Sequence, residues 1–134
     1  MLLSIIIPVY NEEKLVSELL SKVVGLVLAA GVEKEIIIVD DGSSDRTLTS
    51  IQKFMNARPQ AGIRLLAHDT NRGKGAAVRT GMHEASGDIL IIQDADLEYD
   101  PQDINDIIKP ILDHGIKVVY GSRILREKAL GRSG

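Results

Sequence analysis

Residues 35–44 read Glu35-Ile36-Ile37-Ile38-Val39-Asp40-Asp41-Gly42-Ser43-Ser44, an unbroken β-branched run that ends abruptly in two carboxylates, a glycine and two hydroxyls. A strand with one wet face alternates apolar and polar residues, whereas an unbroken run fits a strand covered on both faces, as in parallel sheets. Gly42 lets the chain turn sharply, and Ser43 or Ser44 can open a helix by accepting a hydrogen bond from its free N–H groups. The segment therefore reads as the strand-turn-helix half of a β-α-β unit.

The same grammar extends in both directions. Further apolar runs occupy Leu3 to Val9, Ile63 to Ala67, Asp88 to Ile92 and Lys117 to Tyr120. Between the first two, Leu15, Val16, Leu19, Leu20, Val23 and Val27 recur at helical spacing, with Asn11 as an expected N-cap and Gly31 as the expected end. A second helix is predicted from Ser43 or Ser44, with Leu48, Ile51 and Met55 on one face, and a third from Lys74 to Ser86. In the third, Ala77 and Gly81 lie four residues apart and permit close packing on the sheet. A fourth helix carries Ile104, Ile107, Ile108, Ile111 and Leu112, with a kink expected at Pro110. Strand-helix alternation with right-handed crossovers predicts an α/β fold with a doubly wound, mostly parallel sheet.

Size and composition narrow the function. The 134 residues make one domain, and 44% hydrophobic with 26% charged residues reads as soluble and globular. A net charge of −3 gives no reason to expect nucleic acid as the partner, and the absence of cysteine excludes disulfides and cysteine-ligated zinc. Leu2 to Val9 lacks the basic flank and cleavage site of a signal peptide, and Val23 to Val32 is too short to span a bilayer.

In a doubly wound sheet, ligands bind beyond the carboxyl ends of the strands. The polar signatures lie there: Pro8-Val9-Tyr10-Asn11-Glu12, Asp40-Asp41-Gly42-Ser43-Ser44-Asp45, Gln93-Asp94-Ala95-Asp96-Leu97-Glu98 and Gly121-Ser122-Arg123. Asp94 and Asp96 are two apart, so on an extended chain both carboxylates share a face and can converge on a hard divalent cation that also binds phosphate oxygens. The same residues also suit a solvated turn before Asp100 and Pro101. Asp41 can accept from ribose hydroxyls or base N–H groups, or serve only as turn and cap. Arg123 can pair bidentately with a phosphate or stay solvated. Tyr10 can pack a nucleobase or anchor its loop. Asn71-Arg72-Gly73-Lys74-Gly75 places a lysine near a helix start but lacks P-loop spacing, and no Gly-x-Gly-x-x-Gly follows the first strand. His68, His83 and His114 lack metal-ligand spacing and read as ordinary surface or helix residues.

Taken together and in order, Pro8-Val9-Tyr10-Asn11-Glu12, Asp40 to Thr47, Asn71 to Gly75, Asp94-Ala95-Asp96 and Gly121-Ser122-Arg123 resemble the family-2 glycosyltransferases of GT-A fold. Within them the chain looks most like the dolichyl-phosphate or polyprenyl-phosphate mannosyl- and glucosyltransferases. The resemblance implies a Rossmann-like nucleotide-sugar-binding topology, with Pro8, Tyr10, Glu12, Val39, Asp41, Asp94 and Ala95 at the nucleotide and Asp41 near its base. It implies Asp94, Asp96 and Arg123 as catalytic residues, and Asp94, Asp96 and Glu98 as ligands of Mg²⁺ or Mn²⁺. Close relatives often carry Gln at the Glu98 position. The implied reaction is inverting transfer of a hexose from a GDP-mannose or UDP-glucose type donor to a lipid-linked phosphate. The implied location is cytoplasmic, with the complete protein peripheral at the cytoplasmic face of a membrane.

Complete members of that family continue beyond the Gly-Ser-Arg motif into an acceptor-binding half, so the chain resembles a donor-binding portion. A nucleotide-sugar binding module without turnover is accordingly the rival reading, and acceptor-dependent product formation discriminates the two. A phosphoacceptor signalling domain also clusters aspartates on a parallel sheet, but no lysine follows the fifth run here. The resembled fold inserts an antiparallel strand between the fourth and fifth strands, from a segment beyond this chain. The expectation is therefore an open gap there, with self-association through exposed strand edges or displacement of the fifth strand against the fourth.

Overall fold

The computed structural model describes residues 1–94 together with the strand segments 118–120 and 123–125. The order is β1 (Leu2–Val9), α1 (Val16–Val24), β2 (Glu33–Asp40), α2 (Thr47–Ala57), β3 (Ile63–Ala67), α3 (Lys74–Glu84), β4 (Ile89–Ile92), β5 (Val118–Tyr120) and β6 (Arg123–Leu125). They form one sheet in the order β3-β2-β1-β4-β5-β6. All neighbours run parallel except β6, which pairs antiparallel with β5. This is the mostly parallel, doubly wound arrangement expected.

The unbroken apolar runs of β1, β2 and β4 bury both faces. Ile5 pairs with Ile36 and Ile7 with Ile38, so odd residues of β1 and even residues of β2 share a face. There Leu3, Ile5, Ile7, Ile36 and Ile38 pack with Val16, Leu19, Leu20 and Val23 of α1 and with Ile51 and Phe54 of α2. On the opposite face Ile37 and Val39 pack against Ala77 of α3. Gly81 lets α3 lie against the sheet, since a Cβ there would stand 2.5 Å from Ile6 Cγ2.

Two helix boundaries differ from expectation. Helix α1 ends at Val24 rather than running to Gly31, with Gly25 as its C-cap. The Lys34 ammonium donates to the carbonyls of Val24 at 2.9 Å and Leu26 at 2.6 Å, satisfying oxygens that a longer helix would have paired internally. Helix α2 starts at Thr47, not at Ser43 or Ser44, because those serines are engaged across the rim and Asp45 Oδ1 accepts from Thr47 N and Oγ1 at 2.9 and 2.5 Å. Phe54, absent from the expected apolar face, is its buried aromatic.

Of the two outcomes expected between the fourth and fifth strands, the second is seen: the fifth strand is displaced against the fourth, with β5 directly beside β4, Leu90 opposite Val118 and Ile92 opposite Tyr120. Direct pairing satisfies main-chain groups that an empty position would leave exposed. The predicted fourth helix, Asp96 and Glu98 lie outside the described residues. Among the described residues, no helix is long and apolar enough to cross a membrane.

Candidate active site

The strand order reverses direction between β1 and β4, because the connection after β1 leads one way to β2 and β3 while β4 lies on its other side. Such a switch point leaves a crevice at the carboxyl ends of the strands. An open cavity of about 260 Å³ lies there. The end of β1 supplies Pro8, Val9 and Tyr10, with Glu12 just beyond. Asp41 comes from the end of β2, and Asp94 from the end of β4. Asn71, Lys74 and Ala77 come from the β3–α3 connection and the start of α3.

Side-chain oxygens and main-chain N–H groups lock these loops together. Asn11 has φ +52°, a left-handed conformation that asparagine tolerates. It does not cap α1 as predicted. Its Oδ1 instead accepts from Ser44 N at 2.8 Å, and its own N–H donates to Ser43 Oγ at 2.9 Å. Ser43 Oγ in turn donates to Asp40 Oδ1, and Glu12 N–H donates to Thr47 Oγ1 at 2.8 Å. The β1–α1 and β2–α2 loops thus form one rim. Gly42, at φ +73°, brings this rim against the β3–α3 connection, since a Cβ would stand 2.4 Å from Thr70 C and 2.5 Å from Asn71 N.

The Asp41 carboxylate accepts three hydrogen bonds. Its side chain is 4% exposed. Oδ1 accepts from His68 Nδ1 at 2.7 Å and from Arg72 N at 2.9 Å, and Oδ2 accepts from Gly73 N at 2.9 Å. Burial by itself would raise the pKa of this carboxyl. The N–H groups of Arg72 and Gly73, with the hydrogen bond and charge of His68, outweigh that effect and hold it below the usual carboxylate range.

His68 corrects the sequence reading. It is not an ordinary surface residue: its side chain is 6% exposed, and its Nε2 lies 2.8 Å from Thr80 Oγ1 on α3. The available signal was positional, because His68 directly follows β3 on the rim where Asp41 directly follows β2. Thr80 carried no signal of its own. His83 is exposed in the last turn of α3, as expected, and His114 lies outside the described residues.

On the other side of the cavity, Lys74 forms an ion pair with Asp94 Oδ1. The Asp94 side chain is 14% exposed and that of Lys74 50%. A cationic group therefore already stands against this strand-end carboxylate, and its hard oxygens suit Mg²⁺ or Mn²⁺ equally well. Among the described residues no group of three His, Cys, Asp or Glu converges as a metal cage.

Of the site residues singled out from sequence, Pro8, Tyr10, Glu12, Asp41 and Asp94 line the cavity. Tyr10 is 45% exposed at its edge. Val39 is fully buried beneath α3 against Ala77 and lies in the core rather than on the cavity wall. Arg123 begins β6, opposite Tyr120. Ala95, Asp96 and Glu98 lie outside the described residues.

Comparison with known proteins agrees with this architecture. The family model described as Glycosyl transferase family 2 matches residues 4–133. The chain is 35% identical over 126 residues to dolichol-phosphate mannosyltransferase of Pyrococcus furiosus, covering 94% of this chain and 34% of that protein. It is 35% identical over 116 residues to undecaprenyl-phosphate 4-deoxy-4-formamido-L-arabinose transferase of Edwardsiella ictaluri, covering 87% of this chain and 35% of that protein. Among solved structures, a mannosyltransferase from Pyrobaculum calidifontis in complex with GDP-Man and Mn²⁺ superposes with a TM-score of 0.74 at 27% identity, over 81% of this chain and 32% of that one. The chain spans about a third of the length of these relatives. From the extent of the family match and the shared GT-A architecture, the chain belongs to glycosyl transferase family 2.

Proposed function

We propose that this domain binds a nucleotide diphosphate sugar across the cavity between the ends of β1 and β4, and that the complete protein transfers the hexose, with inversion, to a polyprenyl or dolichyl phosphate. The observation that carries the reading is the placement of Pro8, Tyr10, Glu12, Asp41 and Asp94 around one cavity at the switch point of a family-2 chain. Support for the donor comes from the GDP-Man complex of the Pyrobaculum enzyme, and for the acceptor from the lipid-phosphate transferases among the relatives.

The nucleoside end lies toward Tyr10 and Asp41, and the diphosphate toward Lys74 and Asp94. Asp94, with Asp96 and Glu98, would hold Mg²⁺ or Mn²⁺. A divalent ion bound there supplies Lewis-acid neutralisation of the charge growing on the departing diphosphate. Arg123 would approach the same diphosphate. An oxygen of the acceptor phosphate attacks the anomeric carbon opposite the leaving group. The bond from that carbon to the diphosphate oxygen breaks, and its electron pair leaves with the nucleoside diphosphate. Since a phosphate acceptor is already anionic near neutral pH, the nucleophile needs no proton removed.

A second reading, donor binding without turnover by this chain alone, follows from its covering only about a third of its relatives. Calorimetry with GDP- and UDP-sugars, with and without Mn²⁺, tests donor binding; radiolabelled transfer to a polyprenyl phosphate tests turnover. No binding of either donor type would refute the site. Binding without acceptor-dependent product would select the second reading.

A further inference from the structure

Asp41 and His68 are 27 residues apart and His68 and Thr80 are 12 apart, yet the three side chains form one continuous, partly buried chain of hydrogen bonds beside the cavity. An ionised carboxylate offers about four acceptor positions and no donor. Three are filled here: two on Oδ1, by His68 Nδ1 and Arg72 N–H, and one on Oδ2, by Gly73 N–H. Among the described residues, the acceptor position that remains belongs to Oδ2 of a residue that lines the cavity. One further N–H can be received there, and the orientation of the carboxylate decides where.

The hydrogen-bond pattern also fixes the imidazole. Because Asp41 only accepts, His68 Nδ1 must carry a proton, and Nε2 then meets the Thr80 hydroxyl, which can donate to it or accept from it. Thr80 sits on α3, whose Ala77 also lines the cavity, so the ring ties the end of β2 to α3 through the end of β3. Arg72 and Gly73, bonded to the same carboxylate, lie between Asn71 and Lys74 of the cavity wall.

We propose that His68 is a positioning residue for nucleotide recognition: through its Nδ1–H and its Thr80 anchor it sets the rotamer of Asp41, aiming the remaining Oδ2 acceptor at a ring N–H of the donor's base. This rests on the assignment of Asp41 to the nucleoside end. His68 itself touches no substrate. Its effect falls on the nucleoside part of the ligand and spares the diphosphate part.

The test uses the whole chain with Mn²⁺ and measures GDP, UDP and inorganic pyrophosphate by calorimetry, in wild type, His68→Leu, His68→Asn and Asp41→Ala. His68→Leu is expected to weaken the preferred nucleoside diphosphate roughly tenfold while pyrophosphate stays within about twofold. His68→Asn, whose amide N–H can stand near the place of Nδ1–H, should recover most of that loss. Equal weakening of both ligands, or an Asn variant no better than Leu, would overturn the proposal by reducing His68 to a fold-stabilising residue. Should His68→Leu fail to fold, ¹⁵N NMR of the wild-type ring decides independently: a protonated Nδ1 is expected, and a neutral ring protonated only on Nε2 overturns it. Asp41→Ala separates the two layers of the argument. If it leaves the ratio of nucleoside diphosphate to pyrophosphate affinity unchanged, the assignment of Asp41 itself is wrong and the proposal falls with it.

Discussion

The Lys74 ammonium pairs with the Asp94 carboxylate and thereby joins the first turn of α3 to the end of β4 across the cavity. The sequence left Lys74 between phosphate contact and an ordinary helix start. Its position on the cavity wall opposite a strand-end carboxylate gives it a definite competitor, any divalent ion that seeks Asp94.

Replacing Lys74 by Met should therefore strengthen the binding of Mn²⁺ alone, by up to about fivefold, because a half-exposed pair of this kind contributes little more than about 1 kcal/mol. Nucleoside diphosphate affinity should fall in the same variant, since it lacks the ammonium that in wild type is a natural partner for the diphosphate once a divalent ion takes Asp94. Manganese EPR and calorimetry read the two effects separately. Unchanged Mn²⁺ affinity would show that the pair does not oppose the metal.

Asp94→Asn tests the carboxylate itself. The isosteric amide removes the charge, so the dependence of nucleoside diphosphate binding on Mn²⁺ should weaken roughly ten- to hundredfold. Asp96→Asn should act in the same direction. Binding that is equal in EDTA and in Mn²⁺ for wild type would argue against a metal bridge at this strand end.

Gly42→Ala should destabilise the fold by about 2 kcal/mol or more, as expected of a side chain forced into a left-handed turn against main chain. Thr70 and Asn71 main-chain atoms lie within 2.5 Å of the added Cβ, so no side-chain rotation can relieve the contact. Chemical denaturation measures it. Wild-type stability in this variant would mean that the two loops are not held in contact.

Acid should unfold the protein through its rim. Asp41 and Asp45 are both held below the usual carboxylate range. Burial opposes this in each, but hydrogen bonds from Arg72, His68 and Gly73 at Asp41, and from Thr47 and Glu13 at Asp45, outweigh it. A carboxyl with a depressed folded pKa adds stability above its unfolded pKa and loses it as the pH falls through the folded value. Stability should thus decline below about pH 4, and Asp41→Asn, less stable than wild type at neutral pH, should converge toward it there. A gap independent of pH would show that the charge of Asp41 contributes nothing.

Much of this protein was legible in its sequence, because the relevant forces act over a few residues. Unbroken Ile and Val runs specify the central strands, wet on neither face, and the acidic, glycine- and serine-rich turns after them specify where a ligand rim lies, though not the first residue of each helix. Gly81 and Ala77 announced close packing for the same reason. Only the tertiary structure decided which distant groups meet. Strand order brings Asp41 to His68, Thr80 to His68 and Lys74 to Asp94, and it decides between the two outcomes expected for the fifth strand by setting β5 directly against β4. Periodicity and turn chemistry carry no information about partners tens of residues away. A histidine without metal spacing therefore reads as ordinary until the fold buries it between a carboxylate and a hydroxyl.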